Sequence, residues 1–237
     1  MTARTEHRQR AHRVRLEWGV EGAALLAAEC AAVVVIDVLS FCTSVDVVVG
    51  QGASVLPQRR SDPAAAATAG AVTAGDRYGT GPSLRPSSLV GLAAGTRLAL
   101  ASPNGATLCA AVGPGVELFA GCLRNASAVA AALRGVDGPV GLVPAGERWP
   151  DATMRVAVED ALGAGAIAAA LEDRSPEADA AVDLFVAARA RGLRGVLGRL
   201  ASGLELVADG FGADVDLAAD LDRSGAAPRR TDDGFLA

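Results

Sequence analysis

The chain contains no lysine, and all 22 of its Lys/Arg positions are arginine. That removes the P-loop lysine, Schiff-base chemistry and any catalytic lysine. The only histidines, His7 and His12, lie in the N-terminal segment. A Ser-His-Asp triad, a phosphohistidine route and a histidine-based zinc site are therefore not expected. Cysteine is scarce and scattered: Cys30, Cys42, Cys109 and Cys122 form no C-x-x-C pair, which fits reduced thiols in a cytoplasmic protein. Aromatics are 3% of residues, a composition for close helix–sheet packing rather than an aromatic binding platform. No apolar run has the length of a bilayer, and the polar, arginine-rich start has no apolar core, so neither a membrane span nor a secretory signal is expected. The net charge of −5 argues against nucleic acid or an anionic membrane as partner. What remains for chemistry is carboxylates, hydroxyls, amides, thiols, arginines and backbone N–H groups. Such an inventory suits a hard cation such as Mg²⁺ held through oxygen.

What is present is a chain of 237 residues, 51% hydrophobic and mostly small, long enough to bury a sizeable core. Residues 33–44 read Val-Val-Val-Ile-Asp-Val-Leu-Ser-Phe-Cys-Thr-Ser. The β-branched run is the pattern of a strand covered on both faces. It meets one carboxylate, Asp37, and then the hydroxyls Ser40, Thr43 and Ser44. In open α/β sheets ligands bind where strands end and helices begin, and an acid followed by hydroxyls and helix-start N–H groups suits a metal and a phosphate together. The plainer reading, a buried strand with Asp37 as a helix cap, stays open.

The rest of the chain alternates in the same way. Strands are expected at 13–18 (with one exposed face), 54–57, 96–101, 116–120 and 140–144. Helices are expected at 19–28, 43–50, 62–72, from 105, and at 125–134. Asp62-Pro63 is an N-cap followed by proline at the first helical position. Residues 75–88, rich in Gly, Ser and Pro, are a long loop. From 154 the pattern is helical. The expected fold is a three-layer α/β/α domain spanning 1–237, with a largely parallel or mixed sheet, a helical C-terminal part, and mobile tails at 1–12 and 225–237.

Three further turns carry polar residues: Asn104-Gly105 after the 96–101 strand, Asn125 before an Ala-rich helix, and Gly146-Glu147 after the 140–144 strand. Each has a plain alternative, as an Asn-Gly turn, an N-cap and an exposed loop acid respectively. Together they would put Asp37, Asn104, Asn125 and Glu147 at one edge of a sheet. Glu159-Asp160 precedes Gly163-x-Gly165-x-x-Ala168, a nominal dinucleotide fingerprint. The segment before it is helical rather than a strand, so the glycines are read as packing points on a buried helix. The two adjacent acids need solvent, partners or a metal.

Asp37-Val38-Leu39, Asn104-Gly105, the run 123–130 (Leu-Arg-Asn-Ala-Ser-Ala-Val-Ala), Ala145-Gly146-Glu147, and Glu159-Asp160 with Gly163-Ala164-Gly165 recur in the order and spacing of the 2-phosphosulfolactate phosphatase family. The C-terminal Ser202-Gly203-Leu204-Glu205-Leu206, Gly210-Phe211 and Asp214-Val215 also resemble that family, so the resemblance spans roughly residues 30–222. It implies an α/β/α fold and a Mg²⁺-dependent hydrolase removing phosphate from a small sulfonated hydroxy acid. Two places depart from the family pattern. Ser40 stands where the family commonly has Arg, a natural clamp for phosphate or sulfonate, which leaves Arg124, Arg85 or Arg77 to supply charge, or points to a different phosphorylated acid. Ala101-Ser102-Pro103 and Ala106 replace threonines around the Asn-Gly turn.

On this reading Asp37 and Glu147 are catalytic, and Mg²⁺ is held by Asp37 with one or more of Glu147, Glu159 and Asp160. Ser40, Thr43, Ser44, Asn104, Gly105, Arg124, Asn125 and Gly146 cradle the phosphate. A haloacid-dehalogenase route is not expected, since Leu39 stands in place of a second Asp and the chain has no lysine. The expected partner is a small anionic phosphorylated substrate, with a homodimer left open; a non-catalytic binder of an anionic metabolite is the rival class.

Overall fold

The computed structural model describes residues 4–237. Its strands are β1 (Val14–Leu16), β2 (Ala32–Ile36), β3 (Ser54–Gln58), β4 (Val72–Thr73), β5 (Arg97–Ala101), β6 (Glu117–Gly121), β7 (Val140–Pro144), β8 (Glu147–Arg148), β9 (Met154–Arg155), β10 (Arg229–Thr231) and β11 (Gly234–Leu236). Its helices are α1 (Gly19–Ala27), α2 (Phe41–Val49), α3 (Pro63–Thr68), α4 (Gly105–Val112), α5 (Ala126–Arg134), α6 (Val158–Ala168), α7 (Pro176–Ala190), α8 (Leu193–Leu197), α9 (Ala201–Ala208) and α10 (Gly212–Ala218).

Nine strands form one mixed sheet in the order β1-β7-β2-β6-β10-β11-β3-β5-β4. The β1, β7, β2 and β6 strands run parallel to one another, as do β3, β5 and β4. The hairpin β10–β11 joins the two blocks, pairing antiparallel with β6 through Arg229↔Phe119 and with β3 through Phe235↔Val55. Helices α1, α2 and α4 pack on one face, and α5, α6 and α7 on the other. The three-layer α/β architecture is thus present. Every residue of β2 is fully buried, as a β-branched run between two helical layers requires.

The glycines of α6 act as packing points. A Cβ on Gly165 would lie 2.0 Å from the Ala181 carbonyl oxygen of α7, and one on Gly163 would lie 2.8 Å from Ile36 and Val38. Close approach of helix to helix and sheet explains the Gly-x-Gly, with no nucleotide fingerprint behind it.

Three expectations are corrected. Residues 225–237, expected as a mobile tail, include β10 and β11, and Phe235 is fully buried, meeting Phe41 edge-on at 6.5 Å. Of the other expected tail, residues 1–3 lie outside the described residues. In the remainder, Gln9 Nε2 donates to the Leu16 carbonyl at 2.8 Å, and Arg10 sits 2.9 Å from Glu29. The first strand has no exposed face: all of β1 is buried, because Arg15 folds back onto the His12 carbonyl (2.9 Å) and Glu29 (3.3 Å). Its free edge is covered by bonds between Val14 and the 173–175 segment.

Candidate active site

The strand β2 delivers Asp37 to the point where the chain turns into α2. Asp37 Oδ1 accepts the Phe41 N–H at 3.0 Å, and Oδ2 accepts the Gly105 N–H at 3.1 Å. Two helix starts, α2 and α4, therefore aim their first donors at one buried carboxylate. Only glycine fits at 105, because a Cβ there would lie 2.3 Å from the Phe41 ring.

Asp160, in the first turn of α6, grips the same region from below. Its Oδ1 accepts the Val38 N–H at 2.8 Å and its Oδ2 the Gly146 N–H at 2.9 Å. Gly146 has φ +68°, a conformation that favours glycine, and this turns its N–H toward Asp160. Glu147 then leaves the end of β7 and starts the β8–β9 hairpin, in which it pairs with Arg155. Its Oε2 accepts from Asn104 Nδ2 at 2.8 Å. Asn104 arrives from the second parallel block, since it follows β5 rather than a strand beside β2. Around Asn104 and Glu147 lies a cavity of about 250 Å³, lined also by Gly19, Leu108 and Met154.

The electrostatics follow from crowding acids in a dry place. Burial, then the charge of Glu147, pushes the Asp37 carboxyl up to about 7 against the opposing Phe41 and Gly105 N–H bonds. Burial, then Asp37 and Glu159, holds Asp160 well above the usual carboxylate range. Glu147 is also raised, by burial first, while Asn104 and Arg155 pull it back. The charge of Glu159 thus acts on Asp37, Glu147 and Asp160 alike, and Glu159 and Asp160 are each only 3% exposed. Among the described residues no three His, Cys, Asp or Glu side chains are gathered tightly enough to hold a metal by themselves.

The expected phosphate cradle divides. Gly105, Gly146 and Asn104 lie at the site. Ser40 is buried beside it, and its Oγ has no hydrogen-bond partner. Thr43 and Ser44 are fully buried and turn into the fold: Thr43 Oγ1 donates to the Val38 carbonyl at 2.8 Å, and Ser44 Oγ to the Leu84 carbonyl at 3.1 Å. The reason is that α2 is buried around its whole circumference. Arg124 is taken by Asp46, with Nε 2.9 Å from Oδ2, and by the Leu217 carbonyl. Asn125 closes a capping box with Cys122, accepting its N–H at 2.9 Å. Both serve the end of β6 and are tied into the fold. Arg85 lies over the Phe211 ring at 5.2 Å and donates to the Gly79 carbonyl.

Sequence reasoning missed Asp46, although a single acid inside Phe-Cys-Thr-Ser-Val-Asp-Val-Val-Val signals a buried partner. It also missed Ser102, whose Oγ accepts the Gly105 N–H at 3.1 Å, and Arg155, which no local pattern marks.

Fold and acidic site find their class in one comparison: the protein is a phosphoric monoester hydrolase. The family model described as 2-phosphosulpholactate phosphatase matches residues 23–233, nearly the whole chain, and the chain belongs to that family. No curated relative matches it. No helix among the described residues is long and apolar enough to cross a membrane.

Proposed function

We propose that this chain hydrolyses the phosphate ester of 2-phospho-3-sulfolactate, with Mg²⁺ as cofactor, in the cytoplasm. The observation that carries the reading is Asp37, a buried carboxylate at a strand end, flanked by the acids of two other elements. All four acids offer oxygen only, and their mutual repulsion calls for a cation. Mg²⁺ is commonly bound through one or two carboxylates with substrate phosphate and water completing the shell, so the lack of a closed protein cage suits it. Asp37, with one of Glu147, Glu159 and Asp160, would hold the ion. When bound, the ion supplies positive charge against the phosphoryl oxygens.

The chain's own residues do the rest. The Phe41 and Gly105 N–H groups fix the Asp37 carboxylate in one orientation. Asp160 fixes the backbone on either side by holding Val38 and Gly146. Asn104 orients Glu147, whose raised affinity for a proton suits it to take one from an attacking water. The cysteines have no part as nucleophiles, because burial pushes Cys109 and Cys122 up to about 12 and Cys42 well above its ordinary value. All four are free and buried, in keeping with a reducing compartment.

The test is release of inorganic phosphate from 2-phospho-3-sulfolactate, with and without Mg²⁺, followed by chelation with EDTA. Metal-dependent turnover supports the reading. Tight substrate binding without turnover would make the protein an anion-binding relative instead.

A further inference from the structure

Two adjacent arginines, Arg59 and Arg60, lie on the turn between β3 and α3. Arg59 and Arg60 project from this turn beside a cavity of about 710 Å³, also walled by Gln58, Asp62, Pro103 and Thr107. Among the described residues neither arginine makes a hydrogen bond or ion pair, and both are exposed. The one acid at the cavity, Asp62, already accepts the Ala65 N–H at 2.9 Å as a helix cap. The turn itself is braced. Gln58 donates from Nε2 to the Asp62 carbonyl at 3.1 Å and accepts the Asp62 N–H at 3.0 Å.

A short chain of hydrogen bonds joins this turn to the acidic site. The Ser102 N–H donates to the Gln58 carbonyl at 2.9 Å. Ser102 Oγ in turn accepts the Gly105 N–H, which also reaches Asp37 Oδ2. Around the start of α4, Pro103 and Thr107 face the arginine cavity, while Asn104 and Leu108 face the cavity at Glu147. These two i, i+4 stripes are neighbours on a helix, so the cavities flank a single turn.

We propose that the Arg59–Arg60 cavity is the subsite for a second acidic group, a sulfonate or carboxylate, of the substrate whose phosphate lies at Asp37. The proposal rests on the phosphatase reading for the position of the phosphate, but the anion site itself does not. Two guanidinium groups on a braced turn present paired donors to a multi-oxygen anion. They also lie outside the acidic cluster, which would repel a second negative charge. A substrate bearing two acids would then span the first turn of α4 with one acid on each side.

The test uses 3-sulfolactate as calorimetric probe, with wild type, Arg59→Ala/Arg60→Ala and Arg59→Lys/Arg60→Lys. The alanine pair should weaken binding by about tenfold or more, as loss of charge-assisted bonds implies. The lysine pair should recover part of it, and salt should weaken the wild type. In turnover, the preference for 2-phospho-3-sulfolactate over glycerol 2-phosphate should fall by a similar factor through KM. Wild-type binding and unchanged preference in the alanine pair would overturn the proposal. Arginine-dependent sulfolactate binding in a protein that releases no phosphate would leave the subsite standing and remove the phosphatase reading.

Discussion

Asp160 and Val38 lie 122 positions apart and share a buried hydrogen bond of 2.8 Å, from the Val38 N–H to Asp160 Oδ1. Through it the first turn of α6 holds the residue after Asp37, while the same carboxylate holds Gly146, the residue before Glu147. One side chain therefore sets the spacing of the two acids assigned to catalysis. Asp160→Ala should leave the Val38 and Gly146 donors buried without partners, a loss of about 1–3 kcal/mol for each. A denaturant midpoint within error of wild type would refute that role.

Asp37→Asn tests the centre of the site. Both carboxylate oxygens accept N–H groups, so an amide loses one acceptor even as it removes a charge repelled by its neighbours. These effects oppose, and the melting temperature should move little. Turnover should fall on the order of a hundredfold or more, as removal of one key electrostatic group does. Near-normal turnover in the folded variant would reduce Asp37 to a helix cap.

Gly105→Ala should be harmful for a steric reason. Its Cβ would meet the Phe41 ring at 2.3 Å, and overpacking of this kind costs about 1–3 kcal/mol. The N–H that reaches Asp37 would shift with it, so kcat should fall as well. Thermal melts and steady-state kinetics on one preparation check both effects.

Arg124→Ala separates fold from function. It strands Asp46, a fully buried acid, and breaking a buried pair from one side costs about 3–5 kcal/mol. Replacing both partners together, Arg124→Met with Asp46→Leu, should cost far less. Activity per folded molecule should hold in the double variant. A specific rise in KM there would return Arg124 to the substrate site.

The acidic cluster also sets a pH dependence. Asp37 and Asp160 have folded values raised above their unfolded ones. The Asp37 contribution to stability is full below its unfolded value near 4 and is lost as pH rises through about 7, when its carboxyl ionises in the folded state. Metal-free protein should therefore show a falling denaturant midpoint across this window. Mg²⁺ should restore it at the alkaline end and do little at the acid end. A flat profile, or equal rescue at both ends, would count against the cluster.

Much of this was legible in the residues. The β-branched run of β2 announces a strand buried on both faces, and Asp37, Asn104-Gly105, Gly146-Glu147 and Asp160 do come together. Asp37, Asn104, Asn125 and Glu147 were expected to converge at one edge of a parallel sheet, yet Asn104 comes from the other parallel block and Asn125 is tied into the end of β6. Thr43 and Ser44 misled because hydroxyls after an acid look like a cradle, whereas the all-round burial of α2 is a tertiary fact. Arg124 misled because its partner is 78 positions away. The strands β10 and β11 were hidden for a related reason. Three residues each, one of them Arg-Arg-Thr, carry no strand pattern of their own and become strands only by pairing with β6 and β3.

That C-terminal hairpin has a consequence for how the protein is made. Synthesis runs from the N-terminus, so the two parallel blocks exist before the seam between them does. Until residues 229–236 emerge, β6 and β3 are open edges with unpaired N–H and C=O groups, the kind that invite pairing with other chains. Completion of the sheet must then wait until this late segment has left the ribosome. Loss of residues 229–236 would leave β6 and β3 as open edges, so the damaged chain would meet quality control as an aggregation-prone half-sheet rather than as a trimmed enzyme.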